Sequence, residues 1–142
     1  MNRISVREIA PDEIIRVREL FESVFRETFS DHVPIFEEVT LGEHLYVATL
    51  DGSVVGIASV WEPDCYIHFL FVDSQIRNHR IGSTLISRLY EIYGSLTLKC
   101  LVANKVGMAF YRATGWQELE TGSSEDGEYV LLRYDPRNAE LW

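Results

Sequence analysis

The period of apolar positions changes repeatedly along the chain, and each change predicts an element. Residues 3–9, RISVREI, alternate as a half-buried strand does. Pro11 suits the first position of a helix, with Asp12 and Glu13 in its first turn. Ile14, Val17, Phe21, Val24 and Phe25 then fall on one face of that helix. Residues 30–40, SDHVPIFEEVT, fit a short helix or a loop. In residues 44–61 two β-rich runs, HLYVATL and SVVGIASVW, flank Asp51-Gly52, a pair suited to the positive φ angles of a tight hairpin turn. CYIHFLFVD, 65–73, is almost wholly apolar, which predicts a central strand.

A second long helix follows, with Ile81, Leu85, Ile86, Leu89 and Ile92 on one side and Gly94 to close it. LTLKCLVA, 96–103, reads as a strand. Asn104 can cap a further helix whose apolar face is Val106, Phe110 and Ala113, stopped by Gly115. WQELE (116–120) and YVLLRY (129–134) read as closing strands joined by the polar loop TGSSEDGE. The order is strand, helices, three strands, helix, strand, helix, two strands, which predicts an α/β mixed sheet with helices on its faces. The chain has 142 residues, the size of one domain, taken as 1–142.

Charge changes this picture more than composition does. The net charge of -9 argues against a nucleic-acid partner. Residues 27–64 hold eight acids (Glu27, Asp31, Glu37, Glu38, Glu43, Asp51, Glu62, Asp64) and no Lys or Arg. Residues 65–115 reverse the sign, with Arg77, Arg80, Arg88, Lys99, Lys105 and Arg112 against Asp73 and Glu91. Either the acids form a solvated face, or one half is built for an anionic ligand and the other for a cationic one. Cys65 and Cys100 both fall in expected strands and fit neither a metal spacing nor a disulfide framework, so buried thiols in a reducing compartment are expected. No apolar run reaches the length of a membrane span, and residues 1–13 do not read as a signal peptide. A cytoplasmic location and no membrane partner follow as expectations.

The stretch QIRNHRIGSTLI, 75–86, leaves the central strand through Arg77-Asn78-His79-Arg80 and enters a helix at Ile81-Gly82-Ser83. Asn78 suits a cap for a helix beginning near His79, whose first-turn N–H groups would point outward. Gly82 lets something approach closely, and Arg77 and Arg80 add charge. Two readings are open here: a phosphate cradle built from backbone, or a capped helix with two solvated arginines. The sequence has neither GxxxxGK[ST] nor GxGxxG with a downstream acid.

Strand LFV, then Arg77-x-x-x-x-Gly82 opening a helix, then a strand, then Asn104-x-x-x-x-x-Phe110-Tyr111-x-x-x-Gly115-Trp116, together resemble the GNAT superfamily of acyl-CoA N-acyltransferases. The resemblance is sharp over about residues 66–116. It implies a central, mostly antiparallel twisted sheet of six to seven strands flanked by about four helices. Two positions depart from the family pattern: Arg80 stands where Gly is preferred, and Gly107 where Ala is. Arg80 carries a Cβ, so its turn must keep a negative φ or bear strain. Gly107 costs its helix roughly 1 kcal/mol against Ala.

The resemblance also implies acetyl-CoA as co-substrate, with no metal. The backbone of Leu70, Phe71 and Val72 would pair with the pantetheine arm as an added strand. The turn Arg77, Asn78, His79, Arg80, Ile81, Gly82, Ser83 would hold the pyrophosphate. Asn104 would contact the pantetheine amides, Phe110 would lie along the cofactor, and Tyr111 would stand near the thioester sulfur.

Acyl transfer to an amine needs a neutral amine, a stabilised oxyanion and a protonated leaving thiolate. A lysine-like amine of pKa about 10.4 costs about 4.6 kcal/mol to neutralise at pH 7, and an α-amino group only about 1 kcal/mol. His68, with the strand parity of Leu70 and Val72, is the candidate base, against a plain hydrogen-bonded histidine. Glu43, His32 and His44 are further candidates. Tyr111 has the properties of the acid, against a phenol that is only amphipathic packing. The Val72 N–H is the natural oxyanion donor. In such a family the acceptor side falls on the acidic block 27–64, which predicts a cationic small-molecule or peptide amine. Tyr46, Trp61, Phe29 and Phe36 either shape that pocket or pack the core. The alternative function is a binding module that keeps the acyl-CoA slot without turnover. The tail Ala139-Glu140-Leu141-Trp142 would dock on a second subunit, giving a homodimer, or on its own domain.

Overall fold

The computed structural model describes residues 3–76 and 80–138. Its centre is a seven-stranded sheet, in the order β1-β2-β3-β4-β5-β7-β6. The strands are β1 (Ile4–Glu8), β2 (His44–Leu50), β3 (Ser53–Trp61), β4 (Tyr66–Val72), β5 (Thr97–Leu101), β6 (Trp116–Ser124) and β7 (Gly127–Tyr134). Every neighbouring pair is antiparallel except β4 and β5. The helices are α1 (Ile14–Thr28), α2 (Phe36–Val39), α3 (Ile81–Tyr93) and α4 (Lys105–Ala113).

Alternation along β2, β3 and β4 sends side chains to two cores, one on each face. Under α1 and α2 lie Val17, Leu20, Phe21, Phe36, Val47, Val54, Ile57 and Phe71. Phe21 holds α1 to β4, its ring centroid 5.0 Å from Phe69 and 5.7 Å from Phe71. The larger core on the other face contains Ala58, Ile67, Ile81, Leu85, Leu89, Leu98, Met108, Trp116 and Leu132, beneath α3 and α4. Asp51 and Gly52 take φ of 51° and 90°, as the hairpin turn between β2 and β3 requires. Gly94 ends α3 at φ 73° and donates its N–H to Tyr90 O at 2.8 Å.

Several expectations are corrected. Ile92 is 43% exposed and Val106 69%, so α4 buries Met108 instead. Cys65 is no strand residue: it holds a left-handed turn at φ 50°, and only Cys100 is buried in a strand. The polar run 121–128 is mostly strand, because the β6–β7 ladder continues through Gly122↔Tyr129 to Ser124↔Gly127. β6 is an edge strand with one face in water, so its polar side chains cost nothing there.

The helix expected near His79 begins at Ile81. Asn78, the expected cap, lies outside the described residues, and the cap position belongs to Arg80. Arg80 takes φ 58°, the left-handed value a Cβ disfavours. Replacing Arg80 with Gly should therefore raise stability by about 0.5–1 kcal/mol, the relief of left-handed strain outweighing the added freedom of the unfolded chain. Urea denaturation at fixed pH measures this; a loss of stability would mean that the Arg80 side chain supplies more than its strained backbone costs.

Candidate active site at the opening between β4 and β5

The two parallel strands part almost at once. β4 and β5 pair only at Tyr66↔Thr97 and Ile67↔Leu98. Beyond Ile67 the β5-facing edge of β4 is paired with no described strand, while its other edge stays on β3. Backbone direction along this edge follows from one bond. Asp73 N–H donates to Val55 O of β3 at 2.8 Å. Direction alternates along a strand, so Phe71 also turns its N–H and C=O to β3, while Leu70 and Val72 turn theirs into the opening. Of the three strand residues predicted to hold an extended ligand, Leu70 and Val72 offer backbone groups and Phe71 does not. Phe71 instead gives its side chain to the α1 core.

His68 stands where β4 leaves β5. The β3–β4 register slips between Ser59↔Phe69 and Val60↔Ile67, so His68 is the extra residue of a β-bulge. The expected shared parity with Leu70 and Val72 is corrected by that bulge: Ile67, Leu70 and Val72 pack toward α3, and Phe69 and Phe71 toward α1. His68 Nδ1 lies 2.9 Å from Glu43 Oε2 and 3.2 Å from Oε1. Glu43 also accepts a short hydrogen bond from the buried Ser59 hydroxyl.

The N-terminus of α3 closes the far end. Among the described residues no side chain caps it, and Thr84 bonds back to Arg80 O through its N–H at 3.0 Å and its hydroxyl at 2.7 Å. The first-turn amides of Ile81, Gly82 and Ser83 have no partner among the described residues. Gly82 does permit a close approach, but the group that approaches is the chain's own Phe110: a Cβ on Gly82 would come within 3.0 Å of that ring. Arg77, Asn78 and His79, predicted members of this turn, lie outside the described residues.

α4 borders the β5 side of the opening. Asn104 caps it, its Oδ1 accepting from Gly107 N–H at 3.0 Å. A Cβ on Gly107 would meet the Asn104 amide carbon at 2.9 Å, which accounts for Gly where the related pattern has Ala. Tyr111 packs between Phe110 and Trp116, at ring distances of 5.3 and 5.4 Å. Burial, and then the neighbouring Cys100, raise the Tyr111 phenol above its ordinary value, so it holds its proton.

The remaining candidates separate. His44 lies between Glu8 and Glu62, at 3.5 and 2.9 Å, and makes no described contact with His68. His32 sits in the turn before α2, its N–H on Ser30 Oγ. Tyr46 and Phe36 are core residues, whereas Trp61 and Phe29 are about two-fifths exposed, at 40% and 39%. Ser59 was not predicted. Among the described residues no group of three or more His, Cys, Asp or Glu is arranged to hold a metal ion. No helix among them is long and apolar enough to cross a membrane.

The site is thus a parallel strand pair that opens beside a helix N-terminus with no side-chain cap among the described residues. A family model described as the acetyltransferase (GNAT) family matches residues 14–116, and the chain belongs to that family. Its fold is similar to that of a ribosomal-protein-alanine N-acetyltransferase from Brucella melitensis, at 19% identity and TM-score 0.71, covering 91% of this chain and 98% of that one. It is also similar to a GNAT family acetyltransferase from Elizabethkingia anophelis with acetyl-CoA bound, at 14% identity and TM-score 0.73 over 93% and 97% of the two chains. A third likeness is to PaiA N-acetyltransferase from Thermoplasma acidophilum in complex with coenzyme A, at 13% identity and TM-score 0.73 over 93% and 98%. No curated protein matches the sequence.

Proposed function

We propose that the protein transfers an acetyl group from acetyl-CoA to a primary amine by direct attack, with both substrates bound together. The observation that carries this reading is the β4–β5 opening, with strand backbone along one edge and, at its end, helix amides that have no partner among the described residues. These residues fit an acyl-CoA: a thin amide-bearing arm suits an unpaired strand edge, and a pyrophosphate suits a helix N-terminus. When bound, acetyl-CoA supplies an activated acyl thioester.

The chain's own residues would then act as follows. Leu70 and Val72 would bond the pantetheine amides, and the Val72 N–H would be the donor for the developing oxyanion. Ile81, Gly82 and Ser83 would hold the pyrophosphate through their N–H groups, helped by the Arg80 charge. Asn104 uses one lone pair of Oδ1 on the α4 cap, so its amide N–H groups are the natural donors to the cofactor. His68 would take the proton of the attacking amine, and Tyr111 would hold a proton for the leaving sulfur.

The acceptor is proposed to be cationic: a polyamine, an amino sugar, a lysine or a peptide N-terminus. Support comes from the acidic block 27–64. Much of that block is internally engaged, since Glu37 pairs with Arg18, and Glu62 meets His44 and Tyr93. Attraction therefore rests on the summed field of the block, rather than on a dedicated counter-ion.

An amine panel, read by release of free CoA thiol, tests both parts. Turnover is expected with cationic amines, and kcat/KM should fall steeply with added salt. A best substrate that is neutral or anionic would refute the acceptor class. Calorimetric binding of acetyl-CoA with no thiol release across the panel would refute the enzyme.

A further inference from the structure

We propose that Glu43 is a positioning residue: it fixes His68 with a proton on Nδ1 and so leaves the Nε2 lone pair for the acceptor amine. This inference rests on the reading of His68 as the base. Glu43 sits between α2 and β2 with its side chain only 10% exposed, whereas the His68 side chain is 42% exposed. The carboxylate is thus buried, while the imidazole, on the residue where β4 leaves β5, is part exposed.

Proton counting sets the tautomer. An ionised carboxylate only accepts, so the hydrogen on the Glu43–Ser59 contact belongs to Ser59 and the hydrogen on the Glu43–His68 contact belongs to Nδ1. A neutral imidazole carries one N–H, so Nε2 must be the bare nitrogen. Ser59 is wholly buried on β3, and its bond ties the carboxylate to the sheet. The three residues come from the α2–β2 connection, β3 and the bulge of β4.

The other histidine–carboxylate cluster shows what this arrangement permits. His44 has both ring nitrogens facing carboxylates, Glu8 on Nδ1 and Glu62 on Nε2. That ring has no nitrogen left for a substrate, whereas His68 meets Glu43 through Nδ1 alone. The further titratable groups at this end of the opening are Tyr66 on β4, Lys99 on β5 and Tyr129 on β7. Burial, and then the Glu43 charge, raise the Tyr66 phenol, and Lys99 Nζ sits 4.7 Å over the Tyr129 ring. In the transfer itself one proton passes from the amine to Nε2. The resulting imidazolium keeps its Nδ1 proton against Glu43 and returns the other to water.

Nitrogen-15 NMR of histidine-labelled, full-length protein at alkaline pH tests this, with the His68 signals assigned by their loss in His68→Ala. The expected result is a neutral His68 in the Nδ1–H tautomer. Glu43→Gln should mix the tautomers and lower kcat/KM by about 10- to 100-fold, with acetyl-CoA affinity by calorimetry unchanged. An Nε2–H tautomer in the unmodified protein would overturn the inference without any variant. Full activity in Glu43→Gln beside a crippled His68→Ala would overturn the role of Glu43 alone. Full activity in His68→Ala would instead overturn the base reading, and the positioning role with it.

Discussion

His68→Ala is expected to lower kcat/KM about 100-fold near neutral pH and to shift or abolish the limb of the pH–rate profile that rises with pH. The sign follows from the work a base does. Imidazole accepts a proton only when neutral, so a rate contributed by a histidine base grows with pH and then levels. Without the imidazole, the remaining rise reports only the amine losing its own proton. The size of the effect should depend on the acceptor: a lysine-like amine costs about 4.6 kcal/mol to neutralise at pH 7 and an α-amino group only about 1 kcal/mol. The loss should therefore be greater with side-chain or polyamine acceptors than with peptide N-termini. Initial rates across pH 5–9 with one acceptor of each kind check this. An unaltered rising limb in the variant would remove His68 from the mechanism.

What the sequence made legible was local. Asp51-Gly52 announces its hairpin because only certain residues bear two successive positive φ angles. Gly94 and Asn104 announce helix ends for similar reasons, and the apolar run 66–72 announces a strand buried on both faces. Glu43 was not legible from register: counting back from the hairpin turn would set Leu45 opposite Ala58, and the register shift between Ala48 and Thr49 moves that pairing to Ser59. What failed was long-range. The bulge at His68 cannot be read from β4, because it is a mismatch between two strands rather than a property of either. It reverses parity along half of β4 and turns His68 toward Glu43. Gly82 misled in the same way: its missing Cβ was legible, but the partner filling the space, Phe110, comes from another helix. Arg80 shows the limit of propensity, adopting the left-handed value that its Cβ disfavours because the chain must turn into α3 there.

Tyr111→Phe should slow the chemical step at least about tenfold while leaving acetyl-CoA affinity nearly unchanged. The variant keeps the ring, and with it the contacts to Phe110 and Trp116, so the opening keeps its wall. Only the proton is lost. One objection is energetic: a phenol raised above pKa 10 gives its proton to an ordinary thiolate of pKa about 8.5 at a cost of at least about 2 kcal/mol. The protein contains its own gauge of that cost. Cys100, the thiol that acts on Tyr111, is pushed up to about 11 by burial. A thiolate formed in equally buried surroundings would lose hydration as the Cys100 thiolate does, which narrows the gap in the direction that favours a buried phenol as donor. Because the phenol holds its proton throughout neutral pH, the deficit of Tyr111→Phe should be the same at pH 6 and pH 9, unlike that of His68→Ala. Single-turnover rates at those two pH values separate the roles. Unchanged turnover would leave Tyr111 as packing, and a deficit confined to one pH would assign it to some other titration.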